Sequence, residues 1–370
     1  MSGTSLRLAV AATASLAALT IAPSAQSLPS SSSSSSSTTA SLASPRYQHR
    51  AALAARWQAS QLTHGRIHNG QFDFDDWGLT VDTGLMLAAE GSHPAQLVRL
   101  TKAVRNHYTD YTGTGAAKYA GAVAKTLVFV KVTRHNSRTF GGVNVRAELI
   151  NRIAKSGRLS DKGTADSSNV ISQAYGVIGL SRTGGVPQRV VDYLLKQRCA
   201  AGYFRLQEVP HTACRRSTDS PDVDATALAL QALLSARHHG ATVSRKAITG
   251  TAAWMVSAQR GNGSFGGGSS TGKSNSNSTG LAANALAATG HRAARMRAAD
   301  WVARLQILRA KAASGPARTD IGAVAYRPPA LREALENGIG VKKRDQFRRA
   351  TPQAYFALAP APLNDLLAPK

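Results

Sequence analysis

The sequence predicts an all-α protein whose helical repeats close into a ring of two concentric layers. Two observations carry that expectation. A short pattern recurs six times, mostly about fifty residues apart, which is the signature of stacked supersecondary units. The helices it marks are apolar all round, whereas those between them are amphipathic, so one set belongs inside and the other outside.

The elements follow in chain order. Arg7, the apolar run Leu8 to Ile21 and the small residues Ala22, Ser24, Ala25 and Ser27 predict a signal peptide over 1–27. That run is shorter than the roughly 20 apolar residues a membrane-spanning helix needs. Residues 28–45, with an unbroken serine run from Ser30 to Ser37, read as a flexible tether. The ring is expected over 46–359 and a short tail over 360–370.

Within the ring, a diluted repeat at Trp77-Gly-Leu-Thr80 runs to Gly91, and another at Ser278-Thr279 runs to Gly290; both place threonine eleven residues before glycine. Shorter copies begin at Ala120, Val170 and Thr351. The fullest is Ser220-Pro-Asp-Val-Asp-Ala-Thr-Ala-Leu-Ala-Leu-Gln-Ala-Leu-Leu234. Its apolar residues cover every face, so an inner helix is expected over 224–234. The segment 186–197 instead gathers Val190, Val191, Leu194 and Leu195 on one stripe, opposite Arg189, Asp192 and Lys196, and reads as an outer helix. Glutamines recur where outer helices end, at Gln61, Gln197, Gln259 and Gln306. Three are followed by a glycine and aromatic turn, at Gly70-Gln-Phe72, Gly202-Tyr-Phe204 and Gly263-Ser-Phe265.

Asp222 before an apolar run reads as an N-cap, because its carboxylate accepts from free first-turn amides and complements the helix dipole. Asp224 is then a first-turn acid. Asp75 and Asp76 before Trp77, and Asn275 and Asn277 before Thr279, repeat the arrangement. Cys199 and Cys214, the only cysteines, are expected to pair in an exported chain, closing a loop worth about 3 kcal/mol. A zinc site is not expected: His211 lies near Cys214, but no paired ligand accompanies Cys199.

The formal charge of +25 favours acidic partners, which outside a cell are anionic wall polymers, acidic glycans and lipid headgroups. Nucleic acid is disfavoured by the export signal and by basic residues scattered without an aromatic-interleaved groove.

The recurring glutamine, glycine and aromatic turn, followed by an inner helix with Asp, Thr, Ala and Leu, resembles the terpenoid cyclase and protein prenyltransferase superfamily. The resemblance covers nearly all of 47–358 and implies an α6/α6 toroid, a double-layered barrel of about twelve helices around a funnel-shaped cavity. Asp222-Val-Asp224-Ala225-Thr226-Ala227 is similar to the Asp-x-Asp-Asp-Thr-Ala motif of class II terpene cyclases. In that family the middle acid, here Asp224, protonates an alkene or epoxide. Ala225 replaces the third acid, and such cyclases resemble two or more packed toroids where this chain has one. The zinc ligands of the prenyltransferases are missing, since Gln197 and Thr212 stand two residues before the cysteines. Exported corrinoid carriers resemble the same toroid, but their β-rich lid is absent. Glycan-acting toroid enzymes supply a third class, for which His64, His68, His211, His238 and His239 are candidate bases without a motif.

The reading favoured on these grounds is an exported, monomeric binding protein without catalysis and without a cofactor. Trp77, Tyr203, Phe204 and Phe265 are expected to line the cavity, with Asp76, Asp222, Asp224 and Asn277 at its rim, for a small amphipathic ligand or an anionic cell-wall polymer. A cyclase-like enzyme using Asp224, or a polysaccharide-acting one, is the alternative.

Overall fold

The computed structural model describes residues 44–115, 117–163, 165–209, 214, 220–312, 314–361, 363 and 365–369. The expected signal peptide, nearly all of the tether, and His211 and Thr212 lie outside them. The helices are α1 (Pro45–Ser60), α2 (Trp77–Glu90), α3 (Pro94–Asn106), α4 (Tyr108–Thr112), α5 (Ala120–Val132), α6 (Val145–Ile150), α7 (Val170–Arg182) and α8 (Gln188–Lys196), then α9 (Val223–His238), α10 (Arg245–Ser257), α11 (Ser276–Ala288), α12 (Arg292–Arg304), α13 (Arg309–Ala312), α14 (Pro328–Asn337) and α15 (Val341–Leu358). Two short antiparallel hairpins, β1 (His68–Asn69) with β2 (Phe74–Asp75) and β3 (Gly113–Thr114) with β4 (Ala117–Lys118), decorate loops.

Helices α2, α5, α7, α9, α11 and α15 pack each on the next, and α15 returns to α2. Outside them stand α1, α3, α6, α8, α10 and α12. The fold is the expected α6/α6 toroid. The six recurring segments are its inner helices, and their all-apolar character follows from being covered on both sides. Close approach needs small residues: a side chain at Gly84 would strike the Phe129 ring, and one at Gly280 would strike the backbone of Gln353.

The recurrent threonine is explained by one repeated bond. The hydroxyls of Thr80, Thr226, Thr279 and Thr351 accept from the N–H of Ile67, Phe204, Phe265 and Val324 at 2.8–3.0 Å, pinning each outer turn to the following inner helix. Gln173 does the same for Leu159 at 2.8 Å. In the first repeat the buried partner is therefore Ile67, and Phe72 of the expected aromatic turn is 69% exposed. The turn glycines Gly65, Gly157, Gly202, Gly263 and Gly322 all have positive φ, and each lies against a carbonyl of another outer helix, where any Cβ would collide.

Glutamines lock the same joints. Gln259 donates to Gly263 and Ala294 carbonyls at 3.0 and 2.8 Å, and Gln306 to Gly322 and Arg50 at 3.1 and 2.8 Å. The last contact, from the end of α12 to α1, closes the ring. Gln61 departs from the pattern: its amide stays on α1 while its carbonyl accepts from Arg344 and Arg348. Inner helices start at the end of the ring that carries the long loops. At the opposite end the C-terminal segment crosses the barrel, with Leu363 and Leu366 buried, the Arg182 guanidinium donating to both of their carbonyls, and Arg134 donating to Ala368.

Candidate functional site

The contacts above fix which stripe of each inner helix faces the axis. Counted from the N-caps Asp76, Tyr119, Asn169, Asp222 and Asn275, and from Phe347 in α15 where Thr351 makes the equivalent bond, the fourth residue faces outward. Residues such as Gly84, Leu127 and Gly280 meet the next helix. Positions two, six, nine and thirteen therefore point inward. The uppermost layer is Gly78, Gly121, Ile171, Asp224, Asn277 and Arg349; below it lie Asp82, Lys125, Tyr175, Leu228, Leu281 and Gln353. Lys125 verifies the direction, since its Nζ reaches Asp82 at 2.7 Å, the Gly78 carbonyl at 3.0 Å and the Tyr175 ring centroid at 6.0 Å.

Asp222 caps α9, accepting from the Ala225 N–H at 2.8 Å. Asp76, Asn169 and Asn275 cap α2, α7 and α11 in the same way. The turn that follows α10 lays the run Gly266 to Gly268 over the acid pair. A Cβ on Gly268 would run into the Asp222 carboxylate, and one on Gly267 would lie 2.8 Å from Asp224 Oδ2 and 3.0 Å from Ser278 Oγ. Only glycine lets the chain pass there.

Among the described residues no ion pair reaches Asp224, and its Oδ1 has no hydrogen-bond partner. Burial pushes its carboxyl far above the ordinary range, to about 8, and the charge of Asp222 adds to the shift. The Ser278 hydroxyl sits close enough to oppose this slightly, yet makes no well-formed bond. Burial also raises Asp222. The Tyr326 phenol is raised too, by burial and then by Asp224 against the effect of Arg327. Asp224, Asn277 and Tyr326 are half-buried at the mouth, while the Asp224 Oδ1 is itself enclosed. Across the mouth Arg349 bonds both Asp76 and Asp345. The layer beneath is a floor: Tyr175, Leu228 and Leu281 have no exposed surface, and Lys125 is 1% exposed.

The expected site residues divide. Asp76, Asp222, Asp224 and Asn277 stand together at the mouth. The aromatics stand elsewhere, because the threonine bonds turn them between the two helical layers: Phe204 and Phe265 are fully enclosed in the core, Tyr203 packs on Trp254 of α10 at 5.4 Å, and Trp77 stacks on His107 at 4.7 Å. Sequence reasoning missed Tyr326, Ser278 and the covering glycines. The run Gly266-Gly-Gly268 was the available signal. Cys199 and Cys214 form a disulfide. His238 ends α9 and His239 caps it, its Nδ1 2.9 Å from the Ser235 carbonyl, while His68 lies beside Asp73 and Asp75. Among the described residues no three His, Cys, Asp or Glu side chains converge as a metal site.

No protein-family model matches the chain, and no curated protein does. Solved structures do. The type II terpene cyclase MstE from Scytonema is 14% identical with a TM-score of 0.60, over 85% of this chain and 97% of its own. The likeness is one of fold: an α/α toroid. An unsaturated glucuronyl hydrolase specific for heparin is 13% identical with a TM-score of 0.55, over 84% and 96%. A protein from Actinoplanes is 16% identical with a TM-score of 0.53, over 83% and 98%. The match to almost the whole MstE chain overturns one expectation, since that cyclase spans a single ring and not two.

Proposed function

We propose that the protein is an acid-initiating enzyme that takes an amphipathic, polyprenyl-type molecule at the mouth of the ring and protonates it from Asp224. The observation that carries this is a carboxyl held well above its ordinary range, on a half-buried residue at the mouth, with one enclosed oxygen that has no hydrogen-bond partner. In the step, the Asp224 O–H bond breaks and a C–H bond forms at an alkene carbon. The electron pair of the double bond is consumed, leaving a carbocation and a carboxylate. Ring closure moves the positive charge along the carbon skeleton, a proton lost from a neighbouring carbon passes to water, and water returns a proton to the Asp224 carboxylate. Asp222 keeps the proton on Asp224 until an acceptor arrives, and Ala225, in place of a third acid, supplies a backbone N–H to Asp222. The toroid fold shared with a cyclase that takes geranylgeranyl dihydroxybenzoate as substrate supports the reading.

The test is incubation with that compound and with geranylgeraniol, followed by mass spectrometry. An isomeric product from the wild type, absent with Asp224→Asn, is expected. Retained ligand without any product would favour a second reading, a non-catalytic carrier, which the sealed floor of Tyr175, Leu228 and Leu281 supports. In either reading we place the protein outside the cell as a monomer. The Cys199 to Cys214 bond persists there, and the +25 charge would hold it to anionic wall polymer or acidic glycan.

A further inference from the structure

Beneath the floor, the third inward layer is Leu85, Val128, Ile178, Gln231, Asn284 and Phe356. Four of its six members are apolar. The two carboxamides are neighbours, at equivalent heights on α9 and α11, which pack together. Both are completely buried, and none of their four polar atoms has a partner; Ser235, one turn further along the same stripe of α9, is likewise buried with a partnerless hydroxyl.

The structural glutamines Gln58 and Gln306 each engage their amide nitrogen twice, although the side-chain oxygen of each is unpartnered. Gln173 is equally buried and makes bonds of 2.8, 2.9 and 2.9 Å to Leu159, Gly157 and Val190. A buried amide without partners costs more than one left in water, so two side by side in an apolar layer are a liability unless something else engages them. We propose that Gln231 and Asn284 are a clamp for a neutral hydrogen-bonding group of the substrate, a hydroxyl or carbonyl. It would sit about 10 Å below Asp224, at 1.5 Å per residue over seven residues. The assignment rests on the reading of Asp224 as the acid. Carboxamides offer a donor and an acceptor together, which suits a hydroxyl or carbonyl and not an ion. Arg182, the only charged side chain in the layer below, is committed to the tail carbonyls. The apolar body of the substrate would pass Leu228 and Leu281, whose side chains must move aside.

The experiment uses the full chain carrying Asp224→Asn, so that binding is read without turnover. Its probes are farnesol and the corresponding hydrocarbon farnesene, titrated by tryptophan fluorescence. Farnesol is expected to bind on the order of tenfold more tightly, as one or two net hydrogen bonds imply. Adding Gln231→Met and Asn284→Leu should abolish that preference and raise Tm, because partnerless amides are removed while volume is kept. Gln231→Met alone serves if the combined variant does not fold, with part of both effects. Equal binding of the two probes, no binding of farnesol, an undiminished preference, or a fall in Tm with Gln231→Met would each overturn the clamp. Failure of the acid reading is distinguishable, since it appears only as absent product from the protein with Asp224 intact.

Discussion

Asp76 and Asp222 occupy the same place in the repeat, each capping an inner helix through a 2.8 Å bond from a first-turn N–H. Their surroundings are opposite. Asp76 meets the guanidinium of Arg349, and in the layer beneath, on the same helix, Asp82 pairs with Lys125 of the neighbouring α5. Asp222 meets a second carboxyl and a glycine loop, and no cation among the described residues. The cap itself is structural on both sides, so capping cannot distinguish a scaffold position from a reactive one. What distinguishes them is whether the charge is answered. The α2 and α5 wall is paired; the α9 and α11 wall holds the unpaired oxygen of Asp224 and the unpaired amides of Gln231 and Asn284.

The largest effect should come from removing the unanswered acid. Asp224→Asn is expected to lower turnover about 10²- to 10⁴-fold, the range for a general acid, while the protein folds and melts at least as high near pH 8. Product formation at an unchanged rate would erase the contrast between the two walls.

The ring was legible because its determinants repeat. Thr80, Thr226, Thr279 and Thr351 make one bond, and a recurring glycine serves one close approach. The acid pair was legible for the same reason, as a departure from the repeat at Asp224. Three things were not. Phe204 and Phe265 read as cavity residues because composition says nothing about which way a turn faces, and the threonine bonds send them between layers. Tyr326 and Gly267 reach Asp224 from later repeats, a proximity no local pattern encodes. Gln231 lay inside a helix read as wholly apolar, where a single amide does not disturb the periodicity.

The paired wall gives the next largest effect. Burial pushes the Asp82 carboxyl up even against the Lys125 ammonium, so Lys125→Met leaves a nearly buried acid without its cation. Losing one partner of such a pair is expected to cost about 3–5 kcal/mol, read by chemical denaturation. A loss below 1 kcal/mol would show that the two walls are not electrostatically different. Gly268→Ala probes the other side by forcing a methyl group into the Asp222 carboxylate. It should cost about 1–3 kcal/mol, whereas Gly261→Ala in the same turn, where a Cβ meets nothing, should cost far less.

The smallest and most discriminating change is the same substitution at both caps. Asparagine caps about as well as aspartate, so neither Asp76→Asn nor Asp222→Asn should cost more than about 1 kcal/mol at neutral pH, Arg349 being partly exposed and still paired with Asp345. Their pH dependence should differ. A carboxyl raised by folding binds its proton more tightly in the native state, so its stabilising effect is complete below the unfolded value near 4 and is lost as pH climbs toward the folded value of about 8. Wild-type stability should decline over that window, by an amount that Asp224→Asn removes. Asp222→Asn takes away the neighbouring charge that contributes to the shift, so the decline should end at a lower pH. Asp76→Asn should leave the upper end of the window where it was. Thermal melts from pH 4 to 9 on the three variants read this directly, and identical profiles for Asp76→Asn and Asp222→Asn would mean that the two caps share one electrostatic environment after all.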